Sequence, residues 1–273
     1  MEKLIITVAP TGNVPTKELN PNSVITNDEI VDDLVKCRAL GASLAHLHVR
    51  DNEGNPTSDR SFFKDLVERI HEKKLDMITQ LSTGARGGGA GVEWRGQMLD
   101  LSIEMASLAT GSSNFPTSVN ANDPKLVIDL ASKMLENNIK PEIEVFDVAM
   151  IRNAERLLRK GYIKGPLHFN LVMNVPGSIP GTPRNLMFLV ESLPQGSTFT
   201  VCGIGPAQIP MLTMAILLGG HVRTGLEDVL KFDGNIDASN PMLIERVVNL
   251  AKILGREIAT PQEAREILSL EQK

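Results

Sequence analysis

Short, largely aliphatic runs alternate along the chain with longer stretches in which apolar positions recur every three or four residues, and the alternation repeats eight times. The runs are Leu4–Ala9, Leu44–Val49, Met77–Leu81, Met105–Ala109, Glu142–Phe146, Leu167–Met173, Thr198–Gly203 and His221–Thr224. Their length and the turn residues around them predict strands, and the segments between are long enough for helical crossovers. Thr26 and Glu29 have the spacing of a capping box, with Ile30, Leu34 and Cys37 following on one face, so a helix is predicted to start there. Further helices are predicted over Phe62–His71, Pro124–Leu135, Met150–Lys160, Pro183–Glu191, Pro206–Leu218 and Pro241–Leu254, with a less regular one around Trp94–Leu101 and a last one from Pro261. Proline is tolerated in a first helical turn, and Asp123, Thr182, Asn240 and Thr260 each precede such a proline as cap candidates.

Eight strand–helix units without a linker, repeat or change of composition predict one closed (β/α)8 TIM barrel. It is expected to span residues 1–273 as a single domain, with a short helical extension at its C-terminal end. Chemistry in such a fold belongs at the C-terminal ends of the strands. Hydrophobic residues make up 42% of the chain but aromatic ones only 4%, which suits a barrel interior filled with branched aliphatics. The net charge is −5 and no basic run follows the spacing of a phosphate backbone, so nucleic acid is not an expected partner. The apolar stretches Leu4–Pro10 and Met211–Leu218 are too short for a signal-peptide core or a bilayer span, so the expectation is a cytoplasmic protein without membrane attachment. Cys37 and Cys202 lie far apart with no CxxC spacing, which argues against a disulfide framework or a thiolate metal site.

The second run reads Ala45-His46-Leu47-His48-Val49-Arg50-Asp51, and side chains on a strand alternate with period two, so His46 and His48 project from one face. Two imidazoles can hold a divalent cation, but a catalytic zinc usually takes three protein ligands. The best third donor is Glu227, in the turn Gly225-Leu226-Glu227-Asp228 after the last strand, with His221 in reserve. Arg223 and Asp228 flank it closely enough to pair, and a carboxylate so oriented can accept a proton from a carbon acid; the alternative is a structural salt bridge at the barrel rim. His71 reads as a surface residue, His168 as barrel packing beside Asn170, and one of Glu142 and Glu144 as the partner of an interior arginine. The third run leads into Ser82-Thr83-Gly84-Ala85-Arg86-Gly87-Gly88-Gly89, whose amides could surround a carboxylate or form a lid. Cys202-Gly203-Ile204-Gly205-Pro206 could form a phosphate-binding turn.

In order along the chain stand Thr11-Gly12, His46-Leu47-His48-Val49-Arg50, Ser82-Thr83-Gly84, Asn114-Phe115, Pro141-Glu142, Val175-Pro176-Gly177, Gly203-Ile204-Gly205, Gly220-His221, Gly225-Leu226-Glu227-Asp228 and Ala259-Thr260-Pro261. With this set the chain resembles the β-keto acid cleavage enzyme family over nearly its whole length. The resemblance implies a zinc-dependent barrel, one Zn2+ per subunit, that condenses a β-keto acid with acetyl-CoA as co-substrate to give acetoacetate and a new acyl-CoA. By position it makes His46, His48 and Glu227 the metal ligands, and Arg223 and Asp228 the catalytic pair. It gives substrate contacts to Ser82, Ala85 and Ser107. It implies further that Asp228 takes a proton from the acetyl-CoA methyl group, and that the enzyme is a homo-oligomer, a tetramer. A metal-dependent aldolase or hydrolase on the same barrel is the enzymatic alternative; a barrel that binds metal only for stability is the non-catalytic one.

One departure bears on the substrate. Family members that take an aminated keto acid have an acidic residue after Thr11-Gly12, where this chain has Asn13 and Val14. An ammonium facing Val14 would lose its charge partner, a costly exchange in a partly dry pocket. Pro206 and Ala207 also suggest an altered pocket. The expected substrate is therefore a β-keto acid with a neutral or apolar side chain.

Overall fold

The computed structural model describes residues 2–84, 89, 91–116 and 118–271. Eight strands form a closed barrel: β1 (Ile6–Val8), β2 (Leu44–Leu47), β3 (Ile78–Leu81), β4 (Met105–Ala109), β5 (Lys140–Val145), β6 (His168–Met173), β7 (Thr198–Gly203) and β8 (His221–Thr224). Neighbours in space are neighbours in sequence and every pairing is parallel, with β8 returning to β1 through Ile6 opposite Val222 and Val8 opposite Thr224. Parallel strands cannot be joined by tight hairpins, so helices cross over outside the barrel: α1 (Asn27–Leu40), α2 (Arg60–Glu72), α3 (Val92–Arg95), α4 (Pro124–Glu136), α5 (Val148–Arg159), α6 (Pro183–Glu191), α7 (Gln208–Leu217) and α8 (Asn240–Ile253).

Local chemistry sets where these helices begin. Thr26 and Glu29 form the capping box of α1, while Asp123 and Thr182 cap α4 and α6 ahead of their first-turn prolines. Asn240 does not cap α8. The hydroxyl of Ser239 accepts from Met242 N in its place, and Asn240 turns its side chain into the interior. The predicted helix at Pro206 starts later than expected, because Gly205–Ala207 forms a separate 3-10 turn before α7. The predicted helix around Trp94 ends at Arg95. Strand two also ends early: Val49–Arg50 leaves the barrel to pair antiparallel with Pro56–Thr57.

Most of the core lies between barrel and helices. A second cluster fills the barrel's base, where Ile5, Leu44, Ile78 and Met105 pack against Ala259, Ala264 and Leu268. The last three come from the segment around α9 (Pro261–Ile267), which is tied to the residues just before the first strand by a bridge between Leu4 and Ile258. Above this plug the interior turns polar. His168 Nδ1 lies 2.8 Å from Thr198 Oγ1, Asn170 donates to Glu142 at 3.2 Å, and His221 Nδ1 accepts from Ile5 N at 3.1 Å. His221 thus belongs to the base and not to the mouth. Among the described residues no helix is long and apolar enough to cross a membrane.

Candidate active site

At the C-terminal end of β2, His46 and the next same-face residue His48 bring their Nε2 atoms to 3.3 Å. Each ring is held from behind. His46 Nδ1 donates to Gln80 Oε1 at 2.6 Å and His48 Nδ1 to Asn13 Oδ1 at 3.1 Å. With the Nδ1 protons committed to amide oxygens, both Nε2 atoms present lone pairs to the same point. Two facing lone pairs repel, and only a proton or a cation between them relieves the clash. A proton is disfavoured at His46, where burial and then the Arg223 guanidinium lower the pKa to about 4.

Glu227 completes the group, its carboxylate oxygens 3.3 Å from His48 Nε2 and 3.8 Å from His46 Nε2. One of these oxygens, Oε2, is buried without a hydrogen-bond partner. Two imidazole lone pairs and an orphaned carboxylate oxygen, with all donor atoms within 4.8 Å of one another, fit a divalent cation of the zinc class. The turn that carries Glu227 is built around close approaches. Gly12 has φ +62°, and a Cβ there would lie 2.5 Å from Glu227 Cγ, so glycine is required on two counts. Glu227 N donates to Ala9 O at 3.2 Å, pinning the turn to the end of β1.

Arg223, on β8, binds both carboxylates of the turn. Its Nη2 lies 2.8 Å from Glu227 Oε1 and 2.9 Å from Asp228 Oδ1, its Nε donates to Asp228 Oδ2 at 3.1 Å, and its Nη1 lies 3.6 Å from Glu144. The pairing expected between Arg223 and Asp228 is thus present, and Glu144 is the interior acid that meets an arginine. Burial alone would raise the Glu227 carboxyl, but Arg223 and the two imidazoles outweigh it and hold Glu227 well below its usual range. Asp228 goes the other way: burial, with the neighbouring Glu227 charge, outweighs Arg223 and raises it. Burial likewise pushes Glu144 up to about 7.

These groups line one end of a cavity of about 470 Å³ at the mouth of the barrel. Val14, Phe115, Phe146, Val172, Val175 and Ile204 form much of its remaining wall. Ser82 and Gly84 line it too, with Gly84 N donating to Ser82 Oγ at 3.2 Å. Ser107 sits behind that wall: its Oγ accepts from Thr83 N and its carbonyl from Thr83 Oγ1. Ala85 and Arg86 to Gly88 lie outside the described residues. Pro206 and Ala207 are not on the cavity wall; Ala207 packs beneath Gly181 and Gly203. The Gly203-Ile204-Gly205 turn has its amides engaged, Ile204 N on Met173 O and Gly205 N on Asp228 O, so it anchors the turn that carries Glu227 and Asp228 and does not offer a phosphate cradle.

Sequence reasoning gave Gln80, Asn13 and two buried arginines, Arg50 and Arg95, no part in holding the site. Arg50 donates to Gly12 O and Pro15 O, fixing the loop that carries Asn13 and Val14. Arg95 donates to Thr83 O, Ala121 O and Asn122 Oδ1, bracing the loop after β3. Arg50 follows His48 by two residues, and that spacing was the available signal, although Val49–Arg50 has by then left the barrel.

The chain is 48% identical over 272 residues to a 3-keto-5-aminohexanoate cleavage enzyme of Acetoanaerobium sticklandii, covering 99% of both chains. It is 44% identical over 270 residues to a 3-oxoadipate:acetyl-CoA acetyltransferase of Cupriavidus necator, covering 97% of this chain and 94% of that one. Among solved structures the apo form of ObcA superposes with a TM-score of 0.82 at 21% identity, over 92% of this chain and 66% of that one, a likeness of fold. The family model for the beta-keto acid cleavage enzyme matches residues 3–270, and the chain belongs to that family.

Proposed function

We propose that the protein is a zinc-dependent enzyme that transfers the acyl part of a β-keto acid to CoA, taking acetyl-CoA and the keto acid and returning acetoacetate and a new acyl-CoA. The observation that carries this reading is the convergence of the His46 and His48 lone pairs and the unpartnered Glu227 oxygen beside a raised Asp228 carboxyl. The names of the relatives support the acyl-transfer chemistry. His46, His48 and Glu227 would hold the metal, which when bound supplies Lewis acidity to the ketone and carboxylate oxygens of the keto acid and so acidifies its C2–H.

Atom balance moves the proton from the place first expected. Acetoacetate joins the carboxymethylene of the keto acid to the acetyl carbonyl carbon, so the new bond starts at C2 of the keto acid and not at the acetyl methyl. Asp228 takes the C2 proton, its basicity raised by burial and its carboxylate aimed by Arg223. C2 then adds to the acetyl carbonyl carbon, sulfur passes from that carbon to the former ketone carbon C3, and the C2–C3 bond breaks. C2 leaves with its electron pair and regains the proton from Asp228, so no net proton is consumed. Arg223, held by three carboxylates, keeps Asp228 in place throughout.

The apolar wall supports a neutral or apolar side chain on the keto acid. Val14 faces the cavity where an ammonium would need an acid, and among the described lining residues Arg223, already paired, is the lone lysine or arginine that could meet a second carboxylate. Incubating the purified enzyme with acetyl-CoA and a panel of β-keto acids, with acetoacetate followed by mass spectrometry, tests the reading. Acetoacetate should form, and only with acetyl-CoA present. A higher kcat/KM for 3-oxo-5-aminohexanoate than for 3-oxohexanoate would overturn the side-chain assignment alone.

A further inference from the structure

Asn240 is fully buried beside the candidate site and does no capping. Its Oδ1 accepts from Leu226 N at 2.8 Å, and its Nδ2 donates to Pro10 O at 3.0 Å and Asp33 Oδ2 at 2.6 Å. Both amide protons are therefore used and so is the oxygen. Asp33 lies on the inner face of α1, 7% exposed, and burial raises its pKa. A buried carboxylate against a neutral amide costs stability that an apolar pair would not, so the pair calls for an explanation in what it holds.

It holds the two strands of chain that meet at Glu227. Leu226 precedes Glu227 by one residue and Asp228 by two; Pro10 precedes Gly12, whose missing side chain makes room for Glu227 Cγ. The amide of Asn240 thus fastens the end of β1, α1 and the catalytic turn at one point. We infer that Asn240, oriented by Asp33, is a positioning residue that sets the height of the Gly225–Asp228 turn over the barrel and so aims the Glu227 carboxylate at His46 and His48. This rests on the metal reading proposed above.

The test measures the Zn2+ dissociation constant of the full-length protein by chelator competition, with the melting temperature of each zinc-free variant beside it. Asn240→Asp sets two carboxylates against each other and should weaken zinc binding by roughly 10- to 100-fold, the usual range for groups that orient a metal ligand. Asp33→Asn keeps an acceptor for Asn240 and should bind zinc nearly as the parent does. The double exchange Asp33→Asn with Asn240→Asp restores a donor–acceptor pair at the α1 contact but leaves Pro10 O facing a carboxylate, and should recover only part of the lost affinity. Equal zinc affinity in all variants, with only the melting temperature reduced, would overturn the inference and leave the metal site standing. A parent protein that binds no zinc would overturn both.

Discussion

His46 illustrates how much of the site is decided by a single ring. Burial and the neighbouring guanidinium bring its pKa to about 4, so at neutral pH it offers a lone pair and no charge. Replacing it or Glu227, as His46→Ala or Glu227→Gln, should cut bound zinc from about one per chain to near zero by elemental analysis. Activity should fall by roughly a thousandfold, about 4 kcal/mol of barrier. Val14 also lines the cavity. Val14→Glu should raise kcat/KM for an amino-substituted β-keto acid by about tenfold and lower it for the unsubstituted acid by a similar factor, near 1.4 kcal/mol each way. His46, His48 and Glu227 were legible in the sequence because a two-residue spacing and a glycine-led turn are local patterns. Gln80 and Asn13 were not, because what makes each matter is a histidine 34 or 35 residues away that only barrel closure brings near.

The element that answers most plainly to pH is α9. Its Thr260–Glu263 capping box is joined by Lys3, whose Nζ lies 2.7 Å from Glu263, and the Lys3 and Thr260 hydrogen bonds lower the Glu263 pKa from 4.5 to about 2. A depressed folded-state pKa means the contribution is complete above pH 4.5 and is lost as pH falls towards 2. The methyl resonance of Leu268 should therefore report loosening of α9 in that window, and Glu263→Gln should abolish the pH dependence. The eight barrel strands could be read from sequence because strands buried on both faces form dense aliphatic runs. Pairs such as Ser113–Asn114 with Val119–Asn120 could not, since two residues carry no periodicity. The start of α8 was misread by one residue because Ser239 and Asn240 are both good caps before Pro241; what separates them is Asp33, far off in sequence, which draws the amide inward.

For the whole molecule, the proposed ligands come from the second strand and from beyond the eighth, on either side of β1, so an ion there would staple the barrel across its seam. Zinc at a hundredfold excess over its dissociation constant should add about 2.7 kcal/mol and raise the melting temperature by roughly 5–10 °C, reversed by a chelator. The base of the barrel has a different consequence. Ile5, Leu44, Ile78 and Met105, stoppered by Ala264 and Leu268, close the lower end, so whatever reaches the reacting atoms must come and go by the upper opening. Under the proposed reaction no product forms until both reactants share that opening, and a small acid lying beneath the long thioester would have to settle first. Steady-state velocities should accordingly give intersecting rather than parallel reciprocal plots, with a compulsory order of arrival in which the keto acid comes first.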